Sequence, residues 1–509
     1  MRHLTSSCAV AALMSAAFAQ GAAADITAEE AWTTLRDMMT GSGYESSATE
    51  SRDGDALVIS DTVFTMSSDD ADATTSVDFG TLRFVETGDG SVTVEMPEVL
   101  PVISSFSDPE TGEEVTLHMD VIQKGASLAL SGDPDNVTQT YAASSVEVAL
   151  TSIDAPDEAL APDAVKVSMI MQGLTSDTTI GSGEPRPVEM SAKATSVSFD
   201  MGVDMEDEGS GAAKGEMTDV SFTGTATLPS ETSAGGDLVE LMQDGYMLDG
   251  TFSHQGSTVT FSGEGDGSTF EAQSSSESGE FDMNVDAESL TYALRQVASS
   301  IAVTTSDLPF PLEVQAAGLE AGFTLPLAES EEPKDFALLV NLQDFVMSDM
   351  IWMMFDPEGV LPRDPASLMV DLAGQAKLFV NLLDSEETEE LAATGAAPGQ
   401  LEAIDINAIK LDLVGASLNG SGSFTFDNSD LATFGGMPKP TGSLDLSLAG
   451  GNALLDKLMT LGVIGEEEAG GARMMMGLLA VPGDEPDTLN SKLEINEQGH
   501  ITANGQRIQ

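Results

Sequence analysis

The sequence predicts a mainly β protein: a large antiparallel curved sheet, meander or open barrel, with a few short helices. Three observations lead there. Apolar and polar residues alternate with period two in many short runs, the pattern of strands that bury one face. Turn-forming residues punctuate the chain between those runs, and Gly alone supplies 49 of the 509 residues, which suits a meander. Hydrophobic residues make up 41% and charged residues 20%, so there is enough apolar material for a core and composition does not impose disorder.

The first residues have the order of a signal peptide. Arg2 and His3 give a positive start, residues 8–19 form an uncharged apolar run, and Ala22-Ala23-Ala24 precedes Asp25. Cleavage is expected between Ala24 and Asp25, with a second option after Ala19. The run is too short to cross a bilayer, which takes about 20 apolar residues. The only cysteine, Cys8, opens that run, whereas a lipid-bearing cysteine would follow it. The exported chain is therefore expected to lack disulfides, thiolate chemistry and a lipid anchor. The expected location is the periplasm or the exterior, without a transmembrane segment.

Thr27-Ala-Glu-Glu30 reads as a capping box. Trp32, Leu35, Met38 and Met39 follow at helical spacing, and Gly41 and Gly43 stop the helix. From there period two takes over. Residues 56–60, 81–86 and 91–96 are the first strands, the last two joined by the turn Gly88-Asp89-Gly90. Alternation returns at 115–119, 127–130, 145–150, 165–169, 196–199, 219–223, 251–254, 257–261 and 268–270. The Gly/Ser-rich stretch 263–279 reads as a linker or as hairpin tips. Residues 286–298 fit either period, and their β-rich surroundings assign them to a strand. The division expected is a signal peptide 1–24, an N-terminal β-rich region 25–284 and a C-terminal β-rich region 285–509, the last two joining if the sheet is continuous. In the second region, strands are expected at 336–342, 367–383, 404–418, 422–426 and 442–448. A short helix capped by Ser348 spans 349–355, a helical pair occupies 452–461 and 466–479, and 488–495 with 500–503 form a closing hairpin.

Asp and Glu number 85 against 19 Lys and Arg, for a net charge of -66. Such a field repels nucleic acid and anionic membrane, because phosphate binding needs clustered cations. It fits an acidic surface adapted to saline water. His118, His254 and His500 are far apart and form no metal-ligand spacing; each reads as a strand surface residue. No nucleophile elbow, phosphate loop or dinucleotide fingerprint occurs. The loop Asp204–Gly209 has acids at the spacing of a calcium loop, but Gly215 stands where the bidentate Glu is needed. Acid pairs such as Asp69-Asp70 or Glu386-Glu387 are ordinary in so acidic a chain. No catalytic residue, cofactor site or metal site is assigned.

Several phrases carry a resemblance. They include the Trp32 helix, Leu82-Arg-Phe-Val-Glu-Thr-Gly-Asp-Gly90, Leu361-Pro-Arg-Asp-Pro365, Phe434-Gly-Gly-Met-Pro438 and Gly450-Gly-Asn-Ala-Leu-Leu-Asp456, and they are densest from Asp335 onward. In these the chain resembles a family of exported alphaproteobacterial proteins known only as a domain of unknown function. More loosely, its strand–Gly–strand texture is similar to AsmA-like envelope proteins, which implies a lipid held in an apolar groove. That likeness also implies a membrane anchor, which this chain is not expected to have.

The function expected is that of a periplasmic, non-enzymatic β-rich protein whose sheet binds an apolar envelope molecule, such as a lipid, or a protein partner. Met350, Trp352, Met353, Met354, Met474, Met475 and Met476 are candidates for an adaptable apolar lining. The alternative is a carboxylate-dependent hydrolase of envelope or extracellular polymer. It needs two carboxylates in a cleft beside aromatic platforms, and two Trp and four Tyr supply those poorly.

Overall fold

The computed structural model describes residues 26–508 apart from 42, 69–72, 108–113, 156–163, 206–208, 229–241, 243–244, 266 and 309. The cleavage-site residues Ala24 and Asp25, the pair Asp69-Asp70 and most of the acidic loop after Asp204 lie outside the described residues. The strands form one open antiparallel sheet of 26 members. As the period-two alternation predicts, the chain is mainly β, with five short helices among the described residues.

Helix α1 (Ala28–Gly41) opens the fold as its capping box predicts: the Thr27 hydroxyl accepts from the Glu30 N–H, and Glu30 Oε2 accepts from the Thr27 N–H at 2.8 Å. Pairing then proceeds almost strictly in chain order. β1 (Glu45–Asp53) pairs with β2 (Ala56–Ser68), and β2 with β3 (Ala73–Glu86). Two rows follow in which each strand is split. The first is β4 (Val92–Glu95) with β5 (Val99–Ser107), and the second is β6 (Glu114–Lys124) with β7 (Ser127–Asp133). Long strands follow: β8 (Asn136–Asp154), β9 (Val165–Gly181), β10 (Arg186–Met205) and β11 (Gly209–Leu228). A second split pair of rows is β12 (Met247–His254) with β13 (Gly256–Gly265), then β14 (Ser268–Ser276) with β15 (Ser278–Val285). β16 (Ser289–Thr305), β17 (Leu312–Pro326) and β18 (Lys334–Met347) continue the sheet. After α2 (Asp349–Phe355) come β19 (Ala366–Leu378), α3 (Ser385–Thr394), β20 (Gly399–Leu413), β21 (Ala416–Asp427) and β22 (Lys439–Ala449). The pair α4 (Gly451–Thr460) and α5 (Glu466–Leu479) leads to β23 (Val481–Pro482), β24 (Thr488–Ile495), β25 (Ile501–Ala503) and β26 (Gln506–Arg507).

A crease crosses this sheet. Asp61, Gly80, Gly125, Gly173, Asp219, Ala298 and Asp344 lie mid-row and take left-handed backbone angles, with φ between 47° and 61°. A left-handed residue bends a strand and re-aims the side chains after it. Register places the bends side by side: Gly173 falls opposite Ser144 and Thr195, and Ala298 opposite Ala317. The splits in rows β12/β13 and β14/β15 fall on the same line, where Gln255 N–H bonds to Thr218 O at 3.0 Å and Glu277 N–H to Val297 O at 3.0 Å. The crease thus divides the sheet into two arms. A long arm runs from β2 to β24, and a short arm ends at β18.

The sequence compensates for the bend. In β10 the apolar positions are Val188, Met190, Ala192 and Ala194 before Thr195, and Val197, Phe199, Met201 and Val203 after it. The alternation slips by one residue at the crease, and β8, β11, β16, β17 and β18 slip at the same line. Each arm therefore keeps one continuous apolar face, with a polar face behind it.

Some expectations need correcting. Residues 404–418 are not one strand: Val414 and Gly415, both with positive φ, turn the chain between β20 and β21. The strand expected through 383 ends at Leu378, and the acidic α3 follows, whose weak apolar pattern gave no signal. β1 was missed because its sequence, ESSATESRD, is polar throughout and every residue in it is exposed. Ser348 begins α2 through its backbone carbonyl, which accepts from Trp352 N–H at 3.2 Å; its hydroxyl makes no cap bond. The stretch 263–279 is the β13–β14 hairpin and the start of β15.

Candidate ligand trough

The long arm presents an apolar row, interrupted at Ser176 of β9 and ended at Ser491 of β24. Leu57 pairs with Phe84, Phe84 with Val94, and Val94 with Leu128. Farther along, Phe222, Phe252, Phe281 and Leu294 succeed one another across four strands, and Ala321, Val340, Val370 and Ile409 extend the row. Beside it run Tyr292, Phe323, Leu338 and Leu372, with the Tyr292 and Phe323 rings stacked at 5.6 Å. The short arm has its own row: Val121, Val148, Met169 and Phe199, then Ile301 and Val314 beyond Gly215 and Val259. Glycines here make room for rings. A Cβ on Gly215 would lie 2.4 Å from the Phe199 ring, and one on Gly263 at 2.4 Å from Phe270. From β10 to β20, nine strands about 4.8 Å apart, the uninterrupted part of the long-arm row extends on the order of 40 Å.

At the N-terminal end, where α1 lies across the crease, the two apolar faces meet in one trough. Trp32 touches Phe64 of the short arm and Phe84 of the long arm, with centroids at 6.4 and 6.0 Å. Here the trough is closed: Ile26, Ala31, Trp32, Ile59, Phe84, Val92 and Leu130 form a buried core. Beyond α1 it is open. Met201, Phe261, Phe270 and Ile301 are 44–49% exposed, large apolar side chains left uncovered among the described residues.

Under α1 the core leaves a 220 Å³ pocket, lined by Trp32, Leu35, Phe64, Leu82, Val94 and Leu128 among others. Its polar wall is Gln123, Gln139 and Tyr141. Tyr141 donates its hydroxyl to Gln123 Oε1 at 2.9 Å, and Gln123 Nε2 donates to Pro97 O at 2.9 Å. Burial pushes the Tyr141 phenol above its ordinary range, so it stays neutral. Gln139 Oε1 is buried with no hydrogen-bond partner.

The outer face is polar and cross-linked. Thr251 donates to Asp282 at 2.6 Å, Asn284 to Asp249 at 2.8 Å, and Arg295 bridges Glu280 and Glu320 at 2.7 and 3.0 Å. Larger hollows on the molecule are open and lined by such polar side chains or by bare backbone, as around Lys166, Gly202 and Glu264. Among the described residues no group of three or more His, Cys, Asp or Glu is placed to hold a metal ion.

The candidate lining residues fall on two helices. Trp352 is buried beneath Arg363 (5.8 Å) and beside Phe355 (5.0 Å). Met353 and Met354 are exposed and Met350 is half-buried on α2; Met474 and Met475 are exposed and Met476 is half-buried on α5. The structure brings neither group into the strand rows described above. His118 and His500 lie at the surface or half-buried, but His254 is 7% exposed on the apolar side, over Gly279, so reading it as a surface residue was wrong. The trough itself was legible only as period-two alternation, since each strand contributes three or four unremarkable aliphatic positions and no motif.

The fold and the site define a creased, open β-meander with an apolar trough. The chain belongs to DUF2125, a family described as an uncharacterized protein conserved in bacteria, which matches residues 216–504. The matched segment starts within β11 and takes in Phe261, Phe270 and Ile301 of the open part of the trough; Met201, α1 and the pocket beneath α1 precede it. Searches of curated proteins and of solved structures return no match, and the likeness to AsmA-like proteins gains no support from them. Among the described residues no helix is long and apolar enough to cross a membrane.

Proposed function

We propose that this protein holds an elongated apolar molecule of the bacterial envelope, such as a lipid, with its chains laid along the trough, and that it does so in the periplasm after losing residues 1–24. The observation that carries the reading is the apolar face of two arms, continuous over many strands and, among the described residues, left uncovered beyond α1. Exposed apolar surface on that scale marks a binding site. Strand residues can line such a trough without any conserved chemistry, which fits a chain without a recognisable catalytic motif. Native mass spectrometry and solvent extraction of protein taken from its own cells test the proposal. A bound apolar species of defined mass supports it. Recovery of protein with no lipid, no uptake of a fluorescent fatty acid, or a protein seated in the trough instead, overturns it.

A further inference from the structure

We infer that the pocket under α1 receives the end of the ligand and selects an uncharged group carrying one hydrogen-bond donor, such as a neutral hydroxyl. The inference rests on the trough being a ligand site and goes on to the chemistry of what enters it. The pocket is too small for a whole ligand, at 220 Å³ against roughly 300–1,000 Å³ for typical small-molecule sites, so it takes a terminus. No residue lining it carries a charge. A phosphate or carboxylate entering there would be desolvated without a counter-ion, which is prohibitive. Two of its three polar side chains are already committed, Tyr141 to Gln123 and Gln123 to Pro97. The third, Gln139, lines the pocket and has a buried side-chain oxygen with no donor to meet it. A buried acceptor left unpaired is costly, and a ligand hydroxyl relieves that cost where an alkane does not.

The protein carries its own reporter. It has two Trp, and Trp352→Phe leaves Trp32, which lines the pocket, as the only indole. Emission of Trp32 in the full chain is titrated with decane, 1-decanol, decanoate and decyl phosphate at pH 8. The expected order is 1-decanol about five- to tenfold tighter than decane, the range for one neutral hydrogen bond, with the two anions giving no change in emission. Gln139→Leu is expected to bring 1-decanol down to the level of decane. The comparison is repeated on the unsubstituted protein by native mass spectrometry, so that a poorly folded variant does not decide the matter. Equal binding of decane and 1-decanol, or binding of either anion at Trp32, overturns this inference while leaving the trough reading intact. Failure of all four probes to bind anywhere overturns both.

Discussion

Trp32 stands edge-on to Phe84, with ring centroids 6.0 Å apart, and the same indole leans on Phe64 across the crease. One side chain from α1 therefore holds the two arms together at the closed end of the trough. Its ring N–H donates to Glu50 at 2.8 Å, which fixes the rotamer. Trp32→Ala is expected to cost about 3–5 kcal/mol, as for other large-to-small aromatic changes in cores, measured by urea unfolding. Glu50→Gln, which keeps an acceptor, is expected to cost under about 1 kcal/mol.

The crease gives a pair of opposite expectations. Gly173 has φ +60°, and a Cβ there would lie 2.7 Å from Thr195 Oγ1. Gly173→Val is destabilising on both counts, by at least about 1–2 kcal/mol for the left-handed backbone alone. Ala298 holds φ 51° with a Cβ in place, so Ala298→Gly is expected to stabilise by about 1 kcal/mol. Thermal melts of the two variants check both signs.

His254 supplies a pH dependence. Burial holds its imidazole below the ordinary value of 6.5, against a smaller opposing effect of a backbone bond with Gly256. The unfolded chain takes up that proton as pH falls below about 6.5, and the folded chain resists it until lower pH. The stability is thus present above 6.5 and is lost as pH falls from there through the folded value. Melting temperature is expected to drop between pH 7.5 and 5.5, and His254→Phe is expected to flatten that slope.

Asp487 caps α4 from outside the helix. Its carboxylate accepts from Asn452 N–H at 3.1 Å, Asn452 Nδ2 at 2.8 Å and Ala453 N–H at 3.0 Å, because Gly450 at the helix start has no side chain to do so. Asp487→Ala is expected to cost about 1 kcal/mol, with faster amide exchange confined to α4 and α5.

Stability should also rise with salt. The net charge of -66 repels itself in the folded state, and screening shortens its reach to about 8 Å at physiological ionic strength. Melts in sodium chloride and potassium chloride are expected to rise together. A sharp response to micromolar calcium alone would show a specific carboxylate site instead.

The capping box, α2 and the C-terminal helical pair were legible because each has a local signal: Thr27 with Glu30, the Ser348 and Asp356-Pro357 boundaries, and apolar spacing in residues 452–479. Strand identity was legible from alternation. The crease was not, although its trace lies in the sequence as the one-residue slip at Thr195, Asp219, Ala298 and Asp344. A slip reads as the end of one short strand and the start of another until neighbouring strands are seen to slip in register. The trough was hidden for the same reason. It is a property of pairing between strands such as Phe281 with Leu294, which a single chain does not display.

Phe281 and Asp282 are neighbours on opposite faces of β15, one in the long-arm row and one bonded to Thr251 on the outside. Replacing each in turn with benzoylphenylalanine and irradiating the protein in its own cells tests the central claim most directly. An adduct with an extractable apolar molecule is expected from position 281 and none from position 282. Equal labelling at both positions, or none at 281, would contradict it.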